Sequence, residues 1–161
     1  METYAETLKA LLAAADVQKV LEHIKSHEQE TLNEQLELVV IHSPANHEEQ
    51  RSKRFFEMMS AIGLDEVRTD SVNNVIGLWK GTGNGPTLIL SGHMDTVFGF
   101  EVDCTPRIKE DGGIWAPGIC DDTRGMVAVL AVAKAMTACG VRGLGDIWFV
   151  GNVGEESVGD R

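Results

Sequence analysis

Apolar residues recur at helical spacing early in the chain and at strand spacing later. Over residues 4–42, Leu8, Leu11, Leu12 and Ala15 form one stripe. Val17, Val20, Leu21 and Ile24 form a second, and Leu32, Leu36, Val39 and Val40 a third. Asp16 is the expected N-cap of the second helix. The third ends near Ser43-Pro44, because the residue before a proline resists the helical region. Residues 47–62 give a further amphipathic helix, with Phe55, Met58, Met59 and Ile62 inward and Gly63 as its stop. The Met and Phe cluster is core packing. The period then changes. Glu66–Thr69 and Asn74–Trp79 read as short strands, and Leu88–Leu90 as a strand buried on both faces. Segments around Thr105–Ile108 and Gly113–Trp115 read as a hairpin. Asp122–Cys139 is a helix rich in Ala, Val and Met, closed by Gly140, and Ile147–Val150 is a second buried strand. Helices first, then strands alternating with helix, predict an α/β fold. It is a central mixed β-sheet flanked by helices, preceded by an N-terminal helical segment. Residues 1–62 are mainly helical and residues 63–161 carry sheet and helix, within a single domain.

Composition narrows the function classes. The 161 residues suffice for one real core, with 43% hydrophobic and 24% charged residues. A net charge of −11 argues against a surface that tracks nucleic-acid phosphates. Cys104, Cys120 and Cys139 are sparse and odd in number, which suits free thiols in a reducing compartment. The N-terminus lacks a basic region, and the run Ala10–Ala15 is too short for a signal core or a membrane span. A cytoplasmic location with no membrane contact is expected. The run Gly81-Thr82-Gly83-Asn84-Gly85-Pro86 precedes a strand and lacks Gly-Lys-Ser/Thr, so it is not a phosphate loop.

Candidate chemistry sits at three places. The strand in Leu88–Val97 ends in Ser91-Gly92 and then delivers His93 and Asp95, an imidazole and a carboxylate that can share one environment. Asp121-Asp122 opens the long helix; one of the pair can cap it while the other faces a ligand. Gly154-Glu155-Glu156 follows the last strand. Two adjacent carboxylates can divide the roles of metal ligand and general base. Taken singly, each motif also has a structural reading, as a satisfied histidine, a helix cap or a solvated turn. His23 and His27, at i and i+4, read as part of a polar solvated face, as do His42 and His47 around the Ser-Pro turn. Neither Ser91 nor Cys120 sits in the signature of a serine or cysteine hydrolase.

The motifs in this order are far more specific than any one alone. Ser91–Val97, Ala116–Gly125 and Gly154-Glu155-Glu156 together resemble the M20 family of metallopeptidases, which includes aminoacylases, carboxypeptidase G and peptidase T. Asp70 through Val75 is similar to the family's Asp…Asn-Val strand. The resemblance implies that His93 ligates one metal of a two-metal site, with Asp95 orienting it. Asp121 bridges both metals, its bond to Asp122 resembling a cis non-proline peptide of the family. Glu156 ligates the second metal and Glu155 is the general base. Zinc is the implied metal, with cobalt or manganese also suited to the carboxylate-rich set. The implied reaction is hydrolysis of a peptide or an N-acyl amino acid.

The resemblance also defines what is missing. Family members continue past Gly-Glu-Glu with a further acidic ligand, a histidine ligand and a lid domain, whereas no histidine follows His93 in this sequence. Zinc sites normally have at least three protein ligands. The expectation is therefore a partial catalytic domain, weak or inactive by itself, with an exposed sheet edge open to self-association or to a complementary C-terminal fragment. The alternative is a non-catalytic remnant serving as a binding or interaction module.

Overall fold

The last strand in the sequence, β6 (Ile147–Asn152), lies inside the sheet. In the computed structural model, which describes residues 3–157, the order across the sheet is β1 (Glu66–Thr69), β2 (Val75–Trp79), β6 and β3 (Leu88–His93). β1 pairs antiparallel with β2, β2 antiparallel with β6, and β6 parallel with β3. A mixed sheet is the result, as the sequence pattern predicts. A small hairpin of β4 (Arg107–Ile108) and β5 (Ile114–Trp115) stands apart from it.

Helices α1 (Tyr4–Ala13), α2 (Ala15–Ser26), α3 (Glu28–Val39) and α4 (Glu49–Ser60) precede the sheet, and α5 (Thr123–Cys139) connects β5 to β6. The core lies where α3, α4 and α5 meet one face of the sheet. Leu38 on α3, Phe55 and Met59 on α4, Met126 and Leu130 on α5, and Val75 and Phe149 from the strands are all fully buried there. Small residues let these helices approach. A Cβ on Gly77 would stand 2.6 Å from Met59, and one on Gly151 2.6 Å from the Phe55 ring. α5 is tied to α3 by Lys134, which is held between Glu30 and Glu34, and it ends at Gly140 in the left-handed region.

Several expectations are corrected. Leu88–Leu90 is not buried on both faces. Among the described residues β3 is one of the sheet's two edge strands, so Leu88 is 50% and Ile89 64% exposed, and of the three only Leu90 packs against the core. Asp16 does not cap α2. A single residue, Ala14, joins α1 to α2 and occupies the cap position, which places Asp16 inside the first turn, paired with Lys19. Val40 is exposed; the buried stripe of α3 is Gln35, Leu38 and Val39. α1 begins with a Thr3–Glu6 capping box, but Leu8, Leu11 and Leu12 remain exposed, since the helical spacing is met while no element covers that stripe among the described residues. No helix among those residues is long and apolar enough to cross a membrane.

Candidate active site

Parallel pairing brings two of the three motifs to one edge of the sheet. β3 and β6 run side by side with His93 opposite Asn152, so the chain leaves both strands at the same edge. Open α/β sheets commonly form their sites outside the carboxyl ends of their strands. β3 continues into Asp95, and β6 into Glu155 and Glu156. The N-terminus of α5 brings the third motif, Asp121-Asp122, whose peptide bond is cis. Gly92 makes this approach feasible: a Cβ there would lie 2.7 Å from the Met126 amide nitrogen. Asp122 fastens the junction. One of its oxygens accepts the Gly125 N–H (2.9 Å) as helix cap, and the other accepts the His93 N–H (3.0 Å). One aspartate of the pair thus caps the helix, and the other faces the imidazole.

The Gly-Glu-Glu turn is held through its backbone. Four successive amides, from Val153 to Glu156, donate to side chains brought from elsewhere. Asn74 accepts from Val153 (2.9 Å) and Glu48 from Gly154 (3.2 Å). The two oxygens of Asp95 accept from Glu155 (3.1 Å) and Glu156 (2.7 Å). Asp95 and Glu48 are both fully buried. Asn74 is itself fixed by Asp70, which accepts from the Val72 and Asn74 amides and from the Asn74 side chain. Behind Asp95, the buried Arg51 donates to the carbonyls of Ile41 and Met94. Burial pushes the Arg51 pKa down to about 10, against the opposing pull of Cys104 and Asp95.

These contacts set where the titrating side chains stand. The Nε2 of His93 is 2.9 Å from the Asp121 carboxylate and 3.9 Å from that of Glu155. Its Nδ1 is 3.1 Å from the Asp95 carbonyl and 3.5 Å from the Asp95 carboxylate. Burial works against a proton on His93. The hydrogen bond to Asp121, backed by Asp122 and Asp95, outweighs it and holds the pKa above its ordinary value. Oxygen atoms thus face both ring nitrogens.

His93, Glu155 and Glu156 bring one ligand atom each within 4.8 Å of one another, the single group of three such residues among those described. This donor set fits a divalent ion: one imidazole and two carboxylates suit zinc and similar metals. Asp121 lies outside that group and bonds the Nε2 of His93 directly. Asp95 orients the glutamate turn with its carboxylate and meets His93 chiefly through its carbonyl. His23 and His27 stack with ring centroids 4.0 Å apart, remote from this group. His42 and His47 both approach the Phe100 ring.

Two supporting residues, Arg51 and Glu48, went unnoticed in the sequence, whereas Asn74 was singled out there only through the Asp70–Val75 resemblance. Arg51 and Glu48 read as ordinary surface charges beside an amphipathic helix. A polar residue interrupting the helix's inward stripe was the available signal, since Arg51 stands at i−4 to Phe55.

Residues 89–161 match the sequence model of peptidase family M20/M25/M40. A relative from Pyrococcus abyssi, assigned as a LysW-lysine/LysW-ornithine hydrolase, is 34% identical over 74% of this chain and 32% of its own length. The crystal structure of a tripeptidase from Staphylococcus aureus superposes with a TM-score of 0.69 at 34% identity, over 80% of this chain and 37% of that one. Human carnosine dipeptidase 1 shares the fold, with a TM-score of 0.73 at 17% identity over 91% of this chain and 36% of that one. The chain spans about a third of the length of the curated relatives it matches. With motif order, sequence match and fold in agreement, residues 89–161 of the chain are assigned to peptidase family M20/M25/M40.

Proposed function

We propose that this chain carries the metal-binding half of a site that hydrolyses peptide or N-acyl amino acid amides. The observation behind the reading is the convergence of His93, Glu155 and Glu156 within 4.8 Å, with Asp121 bonded to the same imidazole. His93, Asp121 and Glu156 are the residues that would hold divalent metal, zinc in the first instance. A bound ion supplies Lewis-acid chemistry, polarising the scissile carbonyl and acidifying water. The remaining work falls to the chain's own groups. Glu155, whose side chain is 57% exposed, would serve as the general base. Its carboxylate accepts a proton from the attacking water and returns it to the departing amine. Asp95 acts as a positioning residue, holding the two glutamates beside His93 through their amides.

By itself the 161-residue polypeptide offers each ion of a two-metal site fewer than the usual three protein ligands. It is therefore proposed to bind metal weakly and to hydrolyse amides poorly. Calorimetric zinc titration tests this, with His93→Ala and Glu156→Gln as comparators. Weak binding that both substitutions abolish is expected. Binding that neither substitution alters would place the ion elsewhere and overturn the assignment.

A further inference from the structure

A cavity of about 410 Å³ opens beside the candidate site, with Asp121 and Glu156 in its wall. The rest of its lining is mostly apolar: Val97, Phe98, Trp115, Pro117 and Ile119 among others. Among the described residues its lining includes no lysine, arginine or histidine. Three separate pieces of the fold build it. Val97 and Phe98 come from the segment that leaves β3 past His93, Trp115 from the small hairpin, and Pro117 and Ile119 from the turn leading into α5.

We infer that this cavity is a specificity pocket that receives an uncharged, apolar side chain, of leucine or phenylalanine size, flanking the amide presented to His93 and the glutamates. The inference rests on the hydrolase reading for what the pocket serves, and on the pocket's own walls for what it binds. An amide lying against Asp121 and Glu156 has its nearest substituent within reach of the adjoining wall. Among the described residues that wall offers aromatic and branched surface and no cation to pair with an acidic side chain. The acceptor side chains those residues could offer a lysine, Asp121 and Glu156, are already assigned to the metal. Apolar contact is what the wall can give, and the volume lies within the range of small-molecule sites.

Cys120 also lines the cavity and is exposed, while Cys139 is half-buried and lines a different depression, beside α2. The two thiols provide a readout that needs neither metal nor turnover. The full chain, in EDTA and at physiological salt, is alkylated with iodoacetamide, and each cysteine is followed by peptide mass spectrometry. N-acetyl-leucinamide is expected to slow the reaction at Cys120 by about threefold or more through occlusion, with Cys139 unchanged. N-acetyl-lysinamide and the α-amide of N-acetyl-aspartate are expected to have no such effect. Val97→Asp, at a position 68% exposed, should abolish the leucine effect without disturbing the fold. Equal protection by all three probes, none by the leucine probe, or stronger protection by the lysine probe would overturn the inference. Selective leucine protection without zinc binding or hydrolysis would uphold the pocket and leave the hydrolase reading to fall alone. Zinc binding and hydrolysis without selective protection would do the reverse.

Discussion

Replacing Asp95 by asparagine keeps the shape of a buried side chain and removes one acceptor. The two carboxylate oxygens each accept one amide, from Glu155 at 3.1 Å and Glu156 at 2.7 Å. An asparagine can accept from one of these amides only, and turns its NH₂ toward the other. The lost bond is charge-assisted, worth about 1.5–3 kcal/mol, and the part-buried N–H left facing a donor adds about 1 kcal/mol. The buried Arg51 guanidinium also loses the opposite charge that Asp95 provides. Together these give about 3–5 kcal/mol, the range found when one partner of a buried charged pair is removed. Urea unfolding followed by tryptophan fluorescence and far-ultraviolet circular dichroism reads this directly. With a slope of about 2 kcal/mol per molar urea, the midpoint should fall by about 1.5–2.5 M. Native-state hydrogen exchange should show the Glu155 and Glu156 amides losing protection beyond the global change. A midpoint shift below about 0.5 M, or a large shift that leaves those two amides as protected as the rest of β6, would refute the reasoning.

Gly92→Ala places a methyl group against the Met126 nitrogen and Gly125 carbonyl carbon, 2.7 and 2.8 Å away, and so pushes α5 off β3. The expected loss is about 1–3 kcal/mol, or roughly 3–10 °C in melting temperature; an unchanged melting temperature would show that the junction is looser than described. Burial alone would raise the Asp70 pKa, but the Asn74 side chain, the Val72 and Asn74 amides and Arg68 outweigh it and hold it below the ordinary value. A carboxylate depressed in the folded state stabilises above its unfolded pKa and loses that contribution as pH falls through the folded one. Asp70→Asn should therefore destabilise at neutral pH by more than it does in acid, and a pH-independent difference in thermal melts would contradict this. The combined change Leu88→Thr and Ile89→Lys, on the exposed edge strand, should alter stability by less than about 1 kcal/mol while abolishing self-association of the wild-type chain. Sedimentation that finds the wild type already monomeric would remove the basis for that expectation.

The three motifs were legible because each is a local event: a strand end, a helix start and a turn, all within a few residues. The helix α4 and the stops at Gly63 and Gly140, both at positive φ, were legible for the same reason. What sequence could not reveal is the set of contacts between residues far apart in the chain. Glu48 looks solvated, and Asn74 merely the start of a strand, until β6 sets the Gly154 and Val153 amides against them. Arg51 looks like one charge in a basic run until the carbonyls of Ile41 and Met94 close around it. The exposure of Leu88 and Ile89 is equally non-local. Their apolar run has the composition of an internal strand, and only the strand order places it at the edge.

The interior position of the last strand has a consequence for how the domain is assembled. Until β6 is available, β1 and β2 can form only a two-stranded hairpin, and β3 has no partner in the sheet. A hairpin of that kind is marginal in water. The sheet thus waits for residues separated from β3 by the whole of the small hairpin and α5, a long-range closure of the type that slows folding. During synthesis, His93 and its neighbours spend that interval on an unpaired strand. Closing the sheet and assembling the site are one event, so a nascent chain halted before Ile147 should hold neither, and protease access to the Leu88–His93 segment should end when β6 docks.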